Sequence, residues 1–446
     1  RTDSALISVI CQKFLITKMK KLLIQGGEKL RGVVEIAGAK NATLPLMVAS
    51  ILTDEKLTLA NVPHVSDIAT MANLLANLGI EISFDGLDPS LGNQGRVMVL
   101  QAKEISNPIA PYDLVRKMRA SIFILGPLLA RIGKAKVSLP GGCAIGTRPV
   151  DLHLKAMEKL GAKIELSGGY VEASVDGRLR GAEINFEKVS VGATENTMMA
   201  ATLAEGETII NNAACEPEII DLAKCLTAMG AKISGAGTPQ IKIQGVEKLH
   251  AARHRIIADR IEAGTYAIAA GITGGCIRLK GVEMWILGGF KEELEKAGLI
   301  LKQIGEFEVE VSRISEVIHP VSISTHPFPG FPTDMQAQFM SLMAVADGAS
   351  TIEETIFENR FMHVLELVRM GANIESHGNL AMVKGVKKLT GAEVMATDLR
   401  ASVCLVLAAL VAEGETIINR LYHLERGYER LAEKLIACGA KIKILF

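Results

Sequence analysis

Gly206-Glu207-Thr208-Ile209-Ile210-Asn211 recurs letter for letter as Gly414-Glu415-Thr416-Ile417-Ile418-Asn419, and this phrase decides the fold. A glycine followed by a polar pair and two isoleucines reads as a turn leading into a strand. Looser versions stand at Glu55 to Leu59, Gly133 to Leu139, Gly274 to Leu279 and Gly348 to Ile352. Between them a second phrase closes amphipathic helices: a glycine, a small or apolar residue and then a strand, at Gly79, Gly161, Gly230, Gly298, Gly371 and Gly439. Glycine there suits a helix that ends in a left-handed residue. The six glycines recur at intervals of roughly 70 residues, which is the mark of a repeat architecture. Each unit reads helix, turn, strand, loop, helix, glycine cap, strand, a βαβ-type order that makes the chain α/β.

The two helices of a unit differ. The one before the glycine cap has a polar face: Ile68, Met71, Leu75 and Leu78 alternate with Thr70, Asn73 and Asn77, so it lies on the surface. The one before the strand phrase is apolar nearly all round, as in Ser121 to Ala130, Tyr266 to Ile272, Phe339 to Ala346 and Ser402 to Ala412. A helix without a polar face is buried on every side. Six such helices make two three-helix cores.

Polar residues gather where these inner helices begin: Lys40 with Asn41, Asp113 with Arg116 and Arg119, Ser190 with Gly192, Asp259 with Arg260, Thr333 with Asp334, and Thr397 with Asp398 and Arg400. Capping accounts for the small polar residues. It does not account for Lys40, Arg119 and Arg400, whose charges oppose the positive helix ends. The expectation is an anionic ligand that neutralises them.

With 446 residues the chain divides most naturally into two domains of roughly 200 residues each. Hydrophobic residues make up 49% and aromatics 4%, so the interior is built from Ala, Val, Ile, Leu and Met. The 49 basic and 49 acidic residues cancel, with no basic run to track a phosphate backbone, which argues against nucleic acid. The longest apolar runs, Ser121 to Ala130 and Val403 to Ala412, are about half of the roughly 20 residues a membrane span needs. Seven cysteines without a CxxC pair or a His/Cys cluster point to a reducing, cytoplasmic setting without metal. No Walker-type or GxGxxG loop is present, so neither ATP nor a dinucleotide cofactor is implied. Residues 1–18 precede Met19 and read as a tail without function.

One loop interrupts the plan. Pro140 to Asp151, PGGCAIGTRPVD, has flanking glycines, a cysteine and, close by, Arg148. An unpaired cysteine is commonly a small buried hydrophobe. A cation beside it favours the reactive thiolate instead.

Gly38-Ala39-Lys40-Asn41, Met118-Arg119-Ala120-Ser121, the loop Pro140 to Asp151, Lys188-Val189-Ser190-Val191-Gly192, Phe331-Pro332-Thr333-Asp334-Met335-Gln336-Ala337-Gln338, Glu358-Asn359-Arg360-Phe361 and Glu425-Arg426-Gly427-Tyr428 stand in this order along the chain. Together they resemble the UDP-N-acetylglucosamine 1-carboxyvinyltransferase family of enolpyruvyl transferases, over nearly all of residues 19–446. The resemblance implies a two-domain inside-out α/β barrel, built from six βαβ-type repeats, three per domain. It puts residues 40–257 in the first domain, residues 19–39 plus 258–446 in the second, and the site in the cleft between them.

It further implies that phosphoenolpyruvate is joined to the 3′-hydroxyl of UDP-N-acetylglucosamine with release of phosphate, at the start of peptidoglycan precursor synthesis. Cys143 would donate the proton to C3 and be the target of epoxides such as fosfomycin, and Asp334 would be the base for the sugar hydroxyl. Lys40, Asn41, Arg119, Arg148 and Arg426 would hold phosphoenolpyruvate. Asp398 would orient this cluster or assist proton transfer. Asn41, Arg119, Arg148, Pro149, Val150, Asp151, Leu152, Lys188, Val189, Ser190, Val191, Gly192, Asp334 and Ile356 would hold the nucleotide sugar, with Val150 and Leu152 flanking the uracil. No cofactor is implied, and the oligomeric state stays open. Two rivals remain at this point: transfer to shikimate 3-phosphate, and a catalytically silent nucleotide-sugar sensor.

Overall fold

The computed structural model describes residues 20–87, 96–116, 118–139 and 150–446. Its strands form six four-stranded sheets of one topology. The unit around the quoted phrase shows how each is made. Glu183–Asn185 pairs in parallel with Glu207–Asn211, Glu183 opposite Ile209, and the two are joined through a helix. Glu207–Asn211 then pairs antiparallel with Gln240–Gln244, Thr208 opposite Ile243. The strand after the glycine cap, Lys232–Ser234, lies outside Gln240–Gln244.

The unit read from the sequence has two strands, whereas each sheet has four: the hairpin partner Gln240–Gln244 and the short parallel strand were not anticipated. A tight turn at Gly235 and Gly237, both at positive φ, sends the chain back so that a hairpin partner fills the central place. The phrase itself alternates as a half-buried strand does: Thr208 and Ile210 are buried, as are Thr416 and Ile418. All six capping glycines have φ between 89 and 107°.

Six inner helices carry the core: α1 (Lys40–Ala49), α2 (Leu125–Ile132), α3 (Val191–Ala201), α4 (Arg260–Thr273), α5 (Gln336–Met343) and α6 (Ser402–Ala409). Every residue of α5 and α6 is buried. The apolar run from Ser121 is divided, since Arg119–Ile124 is a 3-10 turn and α2 begins at Leu125. Five of the outer helices lie at Ser66–Asn77, Asp151–Lys159, Pro217–Ala228, Gly289–Lys296 and Leu431–Ala437. Among the described residues no helix is long and apolar enough to cross a membrane.

The apolar core falls into two clusters, one drawn from Ala39 to Ile256 and the other from Leu22 to Ile36 together with Ala258 to Ile442. Strand pairing explains the division. Ala252–Arg255 returns to pair with Lys56–Val62, while Arg31–Glu35 pairs with Cys276–Lys280 and Lys21–Gln25 with Glu415–Asn419. Two crossovers thus join the clusters, and they run side by side: Gly38 bridges Ala258, the Ala39 N–H donates to the Ile257 carbonyl at 2.7 Å, and the Asp259 N–H donates to the Ala37 carbonyl at 2.9 Å. Each crossover runs directly into an inner helix, α1 or α4, which brings the starts of those two helices together.

Candidate active site

Asp259 shows what this junction does. Its Oδ1 caps α4 by accepting from the Ile261 and Glu262 N–H groups, and its Oδ2 accepts from the Lys40 N–H at 3.4 Å. The Lys40 side chain is buried, with Nζ 3.3 Å from Asp67 Oδ2. Burial pushes the Lys40 ammonium below its usual range, and Arg400 and Arg426 push the same way, against Asp67 and Asp334. Asp67, on the outer helix Ser66–Asn77, reaches across with its other oxygen to Arg426 Nε at 3.0 Å.

Asp334 lies in the short 3-10 turn Thr333–Met335 ahead of α5. Arg360 grips it in a fork: Nη2 donates to Asp334 Oδ1 at 2.6 Å and Nη1 to Thr333 Oγ1 at 3.1 Å. Arg400 Nε stands 3.6 Å from Asp334 Oδ2, and its Nη2 3.8 Å from Asp259 Oδ2. Burial alone would raise the Asp334 carboxyl, but Arg360, Arg400 and Lys40 outweigh it and hold the group well below the usual carboxylate range. Arg400 itself is 4% exposed, and its two Nη atoms have no hydrogen-bond partner among the described residues. A buried guanidinium left in that state carries a desolvation cost that an entering anion relieves.

These contacts correct one inference from the sequence. Lys40 and Arg400 at the helix starts do not wait for a ligand to be neutralised, because Asp67 already pairs with Lys40 and Asp259 and Asp334 with Arg400, and Asp67 pairs with Arg426 as well. Asp398 serves as a cap: its Oδ1 accepts from the Arg400 and Ala401 N–H groups at 2.8 and 2.7 Å, which fixes the backbone that carries Arg400.

A second group sits in the first cluster. The turn that starts at Arg119 packs between α1 and α3. Ser190 caps α3 with its side chain accepting from the Ala193 N–H, so that donor is already committed. Gly192 is needed for close approach, since a Cβ there would lie 2.9 Å from the Phe123 ring and 3.3 Å from His153 Cε1. The Asn196 carboxamide accepts from the Gly126 N–H and so turns its Nδ2 toward His153 Nδ1, 3.1 Å away. The imidazole proton then sits on Nε2.

Burial, helped by Arg119, pushes His153 down to about 4. An unfolded histidine takes up a proton near pH 6.5 while this one does not, so stability is complete above that pH and declines as pH falls toward 4. Urea unfolding at pH 7.5 and pH 5 should show a loss of roughly 2 kcal/mol from this residue. His153→Gln should flatten that dependence, and an unchanged slope would contradict the assignment.

Of the other sequence-derived residues, Asn41 is half-buried in the first turn of α1, and Val150, Asp151, Val189 and Val191 are half-buried as well. Lys188 is exposed. Leu152 is in the core rather than on an open face. Ile356 is exposed, and Glu354 holds its loop by accepting from the Ile356 N–H at 2.9 Å and from Thr333 Oγ1 at 2.8 Å. Cys143, Arg148 and Pro149 lie outside the described residues. An open concavity of ≈ 720 Å³ walled by Trp285, His326 and Phe328 is lined by none of the network residues. Among the described residues no three His, Cys, Asp or Glu side chains are grouped to hold a metal.

Residues 24–435 match the family of EPSP synthase (3-phosphoshikimate 1-carboxyvinyltransferase). The UDP-N-acetylglucosamine 1-carboxyvinyltransferase of Paramagnetospirillum magneticum is 60% identical over 427 residues, covering 96% of this chain and 99% of that protein. The protein of the same name from Acidiphilium cryptum is 59% identical over 428 residues, 96% of this chain and 100% of that one. The chain belongs to the UDP-N-acetylglucosamine 1-carboxyvinyltransferase family.

Solved structures agree on the fold of this carboxyvinyltransferase. The enolpyruvyl transferase NikO from Streptomyces tendae superposes with a TM-score of 0.85 at 25% identity, covering 96% of this chain and 99% of that one. EPSP synthase from Acinetobacter baumannii superposes at 0.73 and 17%, covering 96% and 100%. The sequence reading of an enolpyruvyl transferase fold with six repeated sheets stands. The reading missed Asp67, Asp259 as a network member, His153 and the fork of Arg360. Arg360 was within a quoted motif. Asp67 had no signal beyond its place in the first turn of a helix.

Proposed function

We propose that this carboxyvinyltransferase moves the enolpyruvyl group of phosphoenolpyruvate to the 3′-hydroxyl of UDP-N-acetylglucosamine and releases phosphate, feeding peptidoglycan precursor synthesis. The observation that carries the reading is the buried network of Lys40, Asp67, Asp259, Asp334, Arg360, Arg400 and Arg426 where the two clusters meet, in a chain 60% identical to a transferase of that name. We take the two clusters as the two domains and their junction as the cleft. The free cysteines among the described residues support a cytoplasmic location.

The chemistry is addition followed by elimination. C3 of phosphoenolpyruvate gains a proton, the sugar oxygen bonds to C2, and the tetrahedral adduct then loses the C3 proton and phosphate. Cys143 supplies the proton from its loop. Lys40 and Arg426 take the phosphate, which competes with Asp67 for both cations. Arg360 and Arg400 take the carboxylate.

The last step answers a difficulty in the geometry. A carboxyl held far below its usual range is a poor base. When the substrate carboxylate draws Arg360 and Arg400 toward itself, Asp334 loses the charges that hold it down and becomes basic enough to accept the sugar proton. Substrate binding and base activation are then one event. Arg119, Arg148 to Leu152, Lys188 to Gly192, Asn41 and Ile356 receive the nucleotide sugar.

Mixing the protein with both substrates should release phosphate, and Cys143→Ser should reduce that release by about 10³-fold. Release with shikimate 3-phosphate instead of the nucleotide sugar would select the sister reaction, and none with either would select a sensor. Fosfomycin should add to Cys143 in preference to the described cysteines, because burial pushes the Cys215, Cys225, Cys276, Cys404 and Cys438 thiols up and disfavours the reactive thiolate. Peptide mapping that found label on one of those would contradict this.

A further inference from the structure

Two of the sequence motifs carry residues with no part in the chemistry above, Tyr428 and Gln338. Both are buried, at 3% and 0% exposure, and both are polar. Their hydrogen bonds have a definite direction. The Thr265 hydroxyl on α4 donates to the Ile261 carbonyl at 2.8 Å, so its oxygen accepts from the Tyr428 hydroxyl, 3.1 Å away. The phenol oxygen in turn accepts from Gln338 Nε2 at 3.2 Å, and the same nitrogen donates to the Asp334 carbonyl at 2.9 Å. Gln338 Oε1 has no partner among the described residues, and a flipped amide would set that oxygen against the Asp334 carbonyl, which can only accept.

Arg400 lies over this chain, its guanidinium carbon 5.7 Å from the centre of the Tyr428 ring. The backbone before Tyr428 presses on the same segment: a Cβ at Gly427 would fall 2.2 Å from Leu399 Cδ1 and 3.5 Å from Arg400 Nη1. An aliphatic pair would fill the volume without the desolvation cost of a phenol and an amide. What the polar pair adds is a fixed geometry between elements that no local sequence joins.

We propose that Thr265, Tyr428 and Gln338 form a positioning knot that fixes Arg400 relative to Asp334 and thereby sets how the substrate carboxylate is held. This rests on the reading that Arg400 binds that carboxylate. None of the three touches the reacting atoms. They act through Arg400, which Tyr428 underlies, and through the Asp334 backbone, which Gln338 holds.

Tyr428→Phe tests the knot, since it keeps the ring beneath Arg400 and removes only the hydroxyl. The KM for phosphoenolpyruvate should rise about tenfold, with kcat within about threefold and the KM for the nucleotide sugar within about twofold. A second readout separates positioning from packing. Asp334 faces Arg360, Arg400, Lys40 and Arg260. Loosening Arg400 removes part of what holds its carboxyl down, so the acid limb of kcat/KM should move to higher pH. Gln338→Leu should behave alike, and the double variant should be little worse than the poorer single one.

A folded Tyr428→Phe with an unmoved acid limb, or with losses falling equally on both substrates, overturns the knot. Should that variant fail to fold, Thr265→Val puts the same question through the partner of the hydroxyl. A wild-type protein that releases no phosphate from the two substrates sinks the proposed reaction itself. Active wild type with indifferent variants sinks the knot alone.

Discussion

Arg400→Ala should lower kcat/KM for phosphoenolpyruvate by about 10³-fold, the largest loss expected from any residue not assigned a proton-transfer role. Three contributions act together. The variant removes the guanidinium whose Nη atoms have no hydrogen-bond partner among the described residues. It strips a counter-charge from Asp259 and Asp334, 3.8 and 3.6 Å away. It also empties the space over Tyr428. Breaking one side of a buried charged network costs about 3–5 kcal/mol, so thermal unfolding should fall alongside activity.

Arg400→Lys should recover stability better than activity, because an ammonium restores the charge without the planar fork that matches a carboxylate. Kinetics with each substrate varied would show the loss in the phosphoenolpyruvate term. An alanine variant within tenfold of wild type would remove Arg400 from the site.

The same residues mark what a sequence discloses. The six glycine caps were legible because a positive φ at a helix end restricts the residue locally. The inner helices were legible because burial on all sides leaves no polar face. The central hairpin strand of each sheet was not, since its alternation does not say which neighbour it takes. The site was half legible for a similar reason. Lys40, Asp334 and Arg426 stand in distinctive motifs, but their partners are set by folding. Arg426 and Asp67 are 359 positions apart and 3.0 Å apart in space. A charge without a visible partner therefore read as a demand for ligand, when the partner was a distant carboxylate.

That correction bears on how the site works. Four cations, Lys40, Arg360, Arg400 and Arg426, meet three carboxylates, Asp67, Asp259 and Asp334, so the junction is largely paired yet keeps one surplus positive charge before substrate arrives. In the proposed reaction the substrate displaces Asp67 and relaxes the grip on Asp334 to bind. Part of the binding energy is thereby spent on rearranging the protein, which favours interactions that mature only as the reaction proceeds.

The junction itself carries the second large effect. Gly38→Ala should unfold or misalign the protein, with a loss of about 3–5 kcal/mol in unfolding free energy and a fall in turnover that added substrate does not restore. Gly38 lies on one crossover, bridged to Ala258 on the other. A Cβ at this position would lie 1.9 Å from the Asn61 carbonyl oxygen, a distance no rotamer change can relieve because the obstacle is backbone. Asn61 cannot yield easily: it sits at φ 64°, and its side chain donates to the Ile256 carbonyl at 3.0 Å, tying it to the second crossover. Any shift must therefore pass into both crossovers, and so into Lys40 and Asp259, which begin α1 and cap α4. Denaturant unfolding together with turnover at saturating substrate would measure it. A stable, fully active alanine variant would mean that the crossovers bend freely and that Lys40 and Asp259 do not depend on them for their spacing.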